Sequence, residues 1–154
     1  MTAVLLIVHS LLAVTLLGAL THQASSLWWP ARATAGDATF VTKFRAVKAA
    51  NYVNAIIVLF ILTFVVGAYI YPSYRIGARI YMEDLKMSPF VGSFEFKEHI
   101  VSIGVGLLPA YWYFWRKPLA PRYEGARKAL TLFLALIVWY NFLVGHILNN
   151  IHGI

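Results

Sequence analysis

Four stretches of this chain, residues 3–21, 49–71, 100–115 and 129–148, contain no Asp, Glu, Lys or Arg. At about 1.5 Å per residue, helices of such lengths cross most or all of the roughly 30 Å hydrocarbon core of a bilayer. Backbone polar groups find no water there, so an open segment in lipid has to be helical. The rest of the composition agrees. Of 154 residues 60% are hydrophobic and only 12% charged, against about 25% charged in an ordinary soluble domain. That leaves too little polar surface to cover a water-soluble globule. The chain is therefore read as an all-α integral membrane protein, one domain over residues 1–154 folded as a four-helix bundle. The first stretch starts close to Met1 but lacks a basic leader and runs on into Trp28, Trp29 and Pro30. It is read as a retained helix with an interfacial anchor, not as a signal peptide. The absence of Cys excludes disulfides, iron–sulfur clusters, thiolate metal sites and cysteine nucleophiles.

The net charge of +7 is distributed unevenly. The segments after the first and third stretches carry Arg32, Lys43, Arg45, Lys48, Arg116, Lys117, Arg122, Arg127 and Lys128, against Asp37 and Glu124. The segment after the second balances Arg75, Arg79, Lys86 and Lys97 with Glu83, Asp84, Glu95 and Glu98. The positive-inside rule makes the first face cytoplasmic and leaves both termini outside. The basic excess thus reads as topology in a bacterial-type inner membrane, with no nucleic-acid partner. The outer segment, residues 72–98, is expected to be a functional loop or lid: Pro72 ends the second helix, residues 73–86 form a short interfacial helix, and Pro89 and Gly92 break the chain before the third.

Histidines are the informative residues. On this topology His9 in the first helix, His99 opening the third and His146 near the end of the fourth lie toward the outer leaflet, with His152 just beyond. His22 stands apart at the inner end. Ionisable groups at membrane depth are costly and point to function, and imidazole suits haem iron, zinc, copper or non-haem iron. Glu95, His99, Ser102, Gly106 and Pro109 share one helical stripe, expected to face the bundle interior. Gly67 and Gly145 add small residues of the kind a flat macrocycle needs. Arg75 and Arg79, one turn apart, are expected to hold two propionates.

The separation of His9 and His22, 13 residues, resembles the ligand pairs of respiratory cytochrome b. The corresponding position of the fourth helix falls near Phe133, which cannot ligate, so one haem at most is supported. The general plan resembles four-helix b-type cytochromes and the haem anchor subunits of respiratory complexes. The expectation is a small b-type cytochrome-like subunit with one haem b near the outer face, held by His9 and His146 with His99 as substitute. It would pass electrons between quinol or a partner subunit and an outer acceptor. Glu95, Glu98 and His99 are the candidates for proton transfer or a quinone head group. The alternative is a non-catalytic or assembly subunit of a respiratory membrane complex. Its His9, His99, His146, Glu95 and Glu98 would be structural or would bind zinc, iron or copper. Neither a nucleophilic triad nor a phosphate-binding loop is present.

Overall fold

The computed structural model describes residues 2–29, 39–45, 47–116 and 118–152. Every element among them is helical: α1 (Thr2–Trp28), α2 (Phe40–Arg45), α3 (Val53–Ile76), α4 (Ala78–Asp84), α5 (Ser88–Trp115) and α6 (Glu124–His152). One-turn 3₁₀ helices, Ala49–Tyr52 and Pro121–Tyr123, lead into α3 and α6. The four long helices α1, α3, α5 and α6 form the bundle. Three segments, Ala3–Trp28, Ala49–Asp84 and Pro121–Leu148, are long and apolar enough to cross a membrane. Their outer faces expose large apolar side chains such as Ile7, Leu11, Ile61, Val65, Phe133 and Leu136, as a lipid-facing surface requires. Helix α5 is as long, at 28 residues, but carries Glu95, Lys97 and Glu98 in its first half.

Successive long helices run antiparallel, so α1 and α5 are parallel, and the start of α1 and the end of α6 lie at one end of the bundle. The core repeats every seven residues, the spacing that keeps one seam of a helix facing its neighbours. In the middle layer Leu16 of α1, Phe60 of α3, Gly104 of α5 and Val138 of α6 meet, all buried. A side chain at Gly104 would begin 2.6 Å from the tip of the Phe60 ring, so only glycine lets α3 and α5 lock together there. Seven residues toward the end remote from the termini, Tyr111 donates its hydroxyl to Gln23 Oε1 at 2.6 Å, and Gln23 Nε2 donates to the Ala49 carbonyl at 2.9 Å. Trp115 Nε1 bonds Thr131 Oγ1 nearby at 3.1 Å. The side chains of Tyr111, Gln23, Trp115 and Thr131 are thus paired, as burial in an apolar medium demands.

Residues 72–98 differ from the expected loop. Pro72 sits inside α3, which continues to Ile76 and stops only at Gly77. Proline removes one backbone donor, a loss that membrane helices tolerate. Pro89 lies in the first turn of α5, where the missing N–H has no helical partner to lose, and Gly92 is carried within the helix. The segment is therefore the last turn of α3, the short α4 and the first three turns of α5. Lys86, at φ 56°, makes the tight turn between α4 and α5. Met82, Val91, Phe94 and Leu148 form a second apolar cluster that binds α4 to the bundle.

Candidate functional site

Counting seven residues from the middle layer toward the termini reaches a layer of different chemistry. It comprises His9 on α1, Gly67 on α3, Lys97 on α5 and Gly145 on α6, one residue from each long helix. A side chain at Gly67 would start 3.0 Å from His9 Cε1, so the glycine provides the notch that receives the imidazole. The His9 ring has a hydrogen-bond interaction with the Thr63 backbone, and its Nδ1 is buried without a partner among the described atoms. Lys97 approaches from the opposite helix, within Coulombic reach of His9. Its ammonium lies 4.8 Å from the centre of the Phe94 ring and 3.7 Å from where a Gly145 side chain would begin. Lys97 is in none of the ion pairs found among the described residues. Two glycines thus accommodate two basic side chains within the bundle, with a cation–π contact and the neighbouring Glu98 as the lysine's compensation.

The other expected site residues are distributed around this layer. His146 follows Gly145 directly, but its ring is exposed and lies parallel to Phe142, centroids 6.4 Å apart. It shares a stripe with Ala135, Trp139 and Phe142, and Trp139 Nε1 bonds Thr21 Oγ1 of α1 at 3.0 Å. That stripe therefore turns toward α1. His99 is exposed and donates Nδ1–H to the Glu95 carbonyl at 2.6 Å, which leaves Nε2 as its lone-pair nitrogen. Glu98 is half-buried beside Lys97. Among the described residues no three His, Asp or Glu side chains gather as a metal-binding group. The side chain of His152 lies outside the described residues.

The two arginines have separate tasks. Arg79 gives Nε to Glu83 at 2.7 Å and Nη1 to Glu95 at 3.0 Å, tying α4 to α5. Its fork is occupied by carboxylates of this chain. Arg75 is exposed, its guanidinium 5.9 Å from the centre of the Tyr71 ring. Met82 and Met87 serve the second apolar cluster. His22 holds α2 against the bundle, its Nε2–H donated to the Phe44 carbonyl at 2.9 Å and its ring set against Phe44 and Tyr52.

One sequence expectation is reversed. The stripe Glu95, His99, Ser102, Gly106 and Pro109 is exposed along its whole length, and the buried stripe of α5 is Val91, Phe94, Gly104, Leu108, Tyr111 and Trp115. Bulky apolar groups fill the interior better than small polar ones, so they took it. The sequence reading missed Lys97, Gln23 and Tyr111. Lys97, Gly104 and Tyr111 are seven apart, so extending the apolar stripe backward from Tyr111 brings Lys97 to the interior. Comparisons with protein-family models, curated proteins and solved structures yield no match.

Proposed function

We propose that the protein is a small b-type cytochrome-like subunit of a membrane redox complex, with one haem b at the end of the bundle that holds both termini. The observation that carries this reading is the His9 layer. A histidine of the bundle keeps a buried ring nitrogen, Nδ1, without a partner among the described residues, in a notch made by glycine, across from Lys97, which is in none of the ion pairs found there. Buried polar atoms without partners are rare and ask for a reason, and an axial bond to iron is one that imidazole chemistry supplies. His9 would be one axial ligand. His146, one residue beyond the layer on the stripe facing α1, would be the other after a change of rotamer, with His99 as substitute. Lys97 and Arg75 would meet the propionates in place of Arg79, which its two carboxylates hold. The haem supplies a one-electron couple. The chain's own part is to seat it, set its electrostatics with Lys97, and present Glu98 and His99 to a proton or a quinone head group.

The exposed stripe of α5 supports the role of a subunit. Polar groups are expensive against lipid and small residues allow close helix approach, so a face with His99, Ser102 and Gly106 fits another membrane helix. The proposed setting is a bacterial-type inner membrane, with electrons passing between quinol or a partner subunit and an outer acceptor. The test is a visible spectrum of the purified protein, oxidised and dithionite-reduced, with His9→Ala, His99→Ala and His146→Ala variants. A low-spin b-type spectrum lost with His9 and His146 and kept without His99 is expected. Equal haem content in all three variants would refute the ligand assignment.

A second reading, a non-catalytic or assembly subunit, is favoured by one fact: His99 and His146 are both exposed. Zinc, iron or copper found by metal analysis of a haem-free preparation, and lost with His9 or His99, would establish it.

A further inference from the structure

We propose that the turn between α5 and α6 is a binding site for the headgroup of an anionic phospholipid, with Arg116 and Arg122 as its cationic contacts. The Arg116 guanidinium stands 4.1 Å from the centre of the Tyr113 ring, and that of Arg122 stands 4.6 Å from the centre of the Tyr123 ring. The two tyrosine rings are themselves neighbours, with centroids 6.2 Å apart, and Phe114 packs edge-on against both at 5.2 and 5.1 Å. Two guanidinium groups are thus mounted on one aromatic cluster, which limits their freedom before any ligand arrives.

Neither has a carboxylate among the described residues. The acid beside them in sequence, Glu124, is bonded to Lys128 at 2.7 Å. Arg127 is turned inward instead. It donates to the Ala120 carbonyl at 2.9 Å and lies over Trp115, which fixes the shape of the turn. Arg116 and Arg122 are exposed, and the flanking Trp112 and Leu119 are 50% and 39% exposed. Charge-free residues 100–115 end and those of α6 begin just past this turn, so the arginines stand at headgroup level and the apolar pair at acyl level. A phosphate diester offers the planar pair of oxygens that a guanidinium fork binds, and leaflets rich in anionic lipid attract basic segments placed there.

The probe is an equimolar phosphatidylglycerol and phosphatidylcholine mixture in detergent micelles, read by native mass spectrometry of the full-length protein. Wild type should retain phosphatidylglycerol preferentially. Arg116→Gln with Arg122→Gln should lower that retention about tenfold or more, the scale of one lost charge-assisted bond. Lys43→Gln with Lys48→Gln removes the same charge from the same end and should leave it unchanged. Unaltered retention in the arginine pair, or equal loss in both pairs, overturns the site. Release of the lipid by excess inorganic phosphate overturns it too, in favour of a free-anion site. Should the double variant not fold, Arg122→Gln alone, on the exposed turn, must show the loss.

Discussion

Gly67→Ala is the smallest change that enters the polar layer, and its sign depends on what His9 is doing. Two effects oppose each other. In a helix interior alanine is favoured over glycine by roughly 0.5–1 kcal/mol. Against this, the new methyl would start 3.0 Å from His9 Cε1, several tenths of an ångström inside ordinary contact. Forcing such an adjustment in a packed site costs roughly 1–3 kcal/mol. The steric effect is the larger, so the single variant should lose up to about 2 kcal/mol. In a His9→Ala background the clash partner is gone and the helix preference remains. There Gly67→Ala should stabilise by about 0.5–1 kcal/mol. The reversal amounts to a coupling of about 1–3 kcal/mol between residues 9 and 67. Unfolding in mixed micelles, followed through tryptophan fluorescence, measures all four corners of the cycle. Equal effects of Gly67→Ala in both backgrounds would mean that the imidazole does not occupy the glycine notch, and the proposed ligand position would fall with it.

Two further outcomes are expected. Tyr111→Phe leaves Gln23 Oε1 buried without its donor and should cost about 0.6–1.7 kcal/mol, the span typical of interhelical hydrogen bonds in membranes; a loss below a few tenths in the same micelle assay would show that the hydroxyl is not holding α1 to α5. A C-terminal alkaline phosphatase fusion should be active and the matching green fluorescent fusion dark, because the basic excess lies at the end remote from the termini; the opposite pattern would invert the assigned orientation.

The helices were legible because charge-free runs of membrane length have few other structures open to them. Their ends were not. Pro72 and Pro89 look alike in sequence, yet one is absorbed within α3 and the other starts α5. Which outcome applies depends on whether neighbouring helices can shelter the freed carbonyl, a tertiary matter. Starting the third span at Ile100 placed Lys97 among loop charges, and it proves to be an interior residue of the bundle. Gly67 and Gly145 stood out in the sequence as small residues suited to a flat macrocycle, and the side chains set against them are His9 and Lys97. The polar stripe of α5 failed for another reason: helical periodicity groups residues on one face but does not say which face turns inward. Only the competing stripe with Leu108, Tyr111 and Trp115, bulkier and more apolar, decides that.

The mixed character of α5 bears on how the chain reaches its place in the bilayer during synthesis. Segments leaving the ribosome are sorted into lipid one by one according to their own apolarity, and α1, α3 and α6 meet that standard unaided. Helix α5, with Glu95, Lys97 and Glu98 in its first half, is the poorest candidate for independent partitioning. It depends on its neighbours: α3, made earlier, offers Phe60 to the hollow at Gly104, and α6, arriving last, closes over Lys97 at Gly145. Assembly is then ordered by chemistry, with the helix that brings Glu95, Lys97 and Glu98 admitted by more apolar partners.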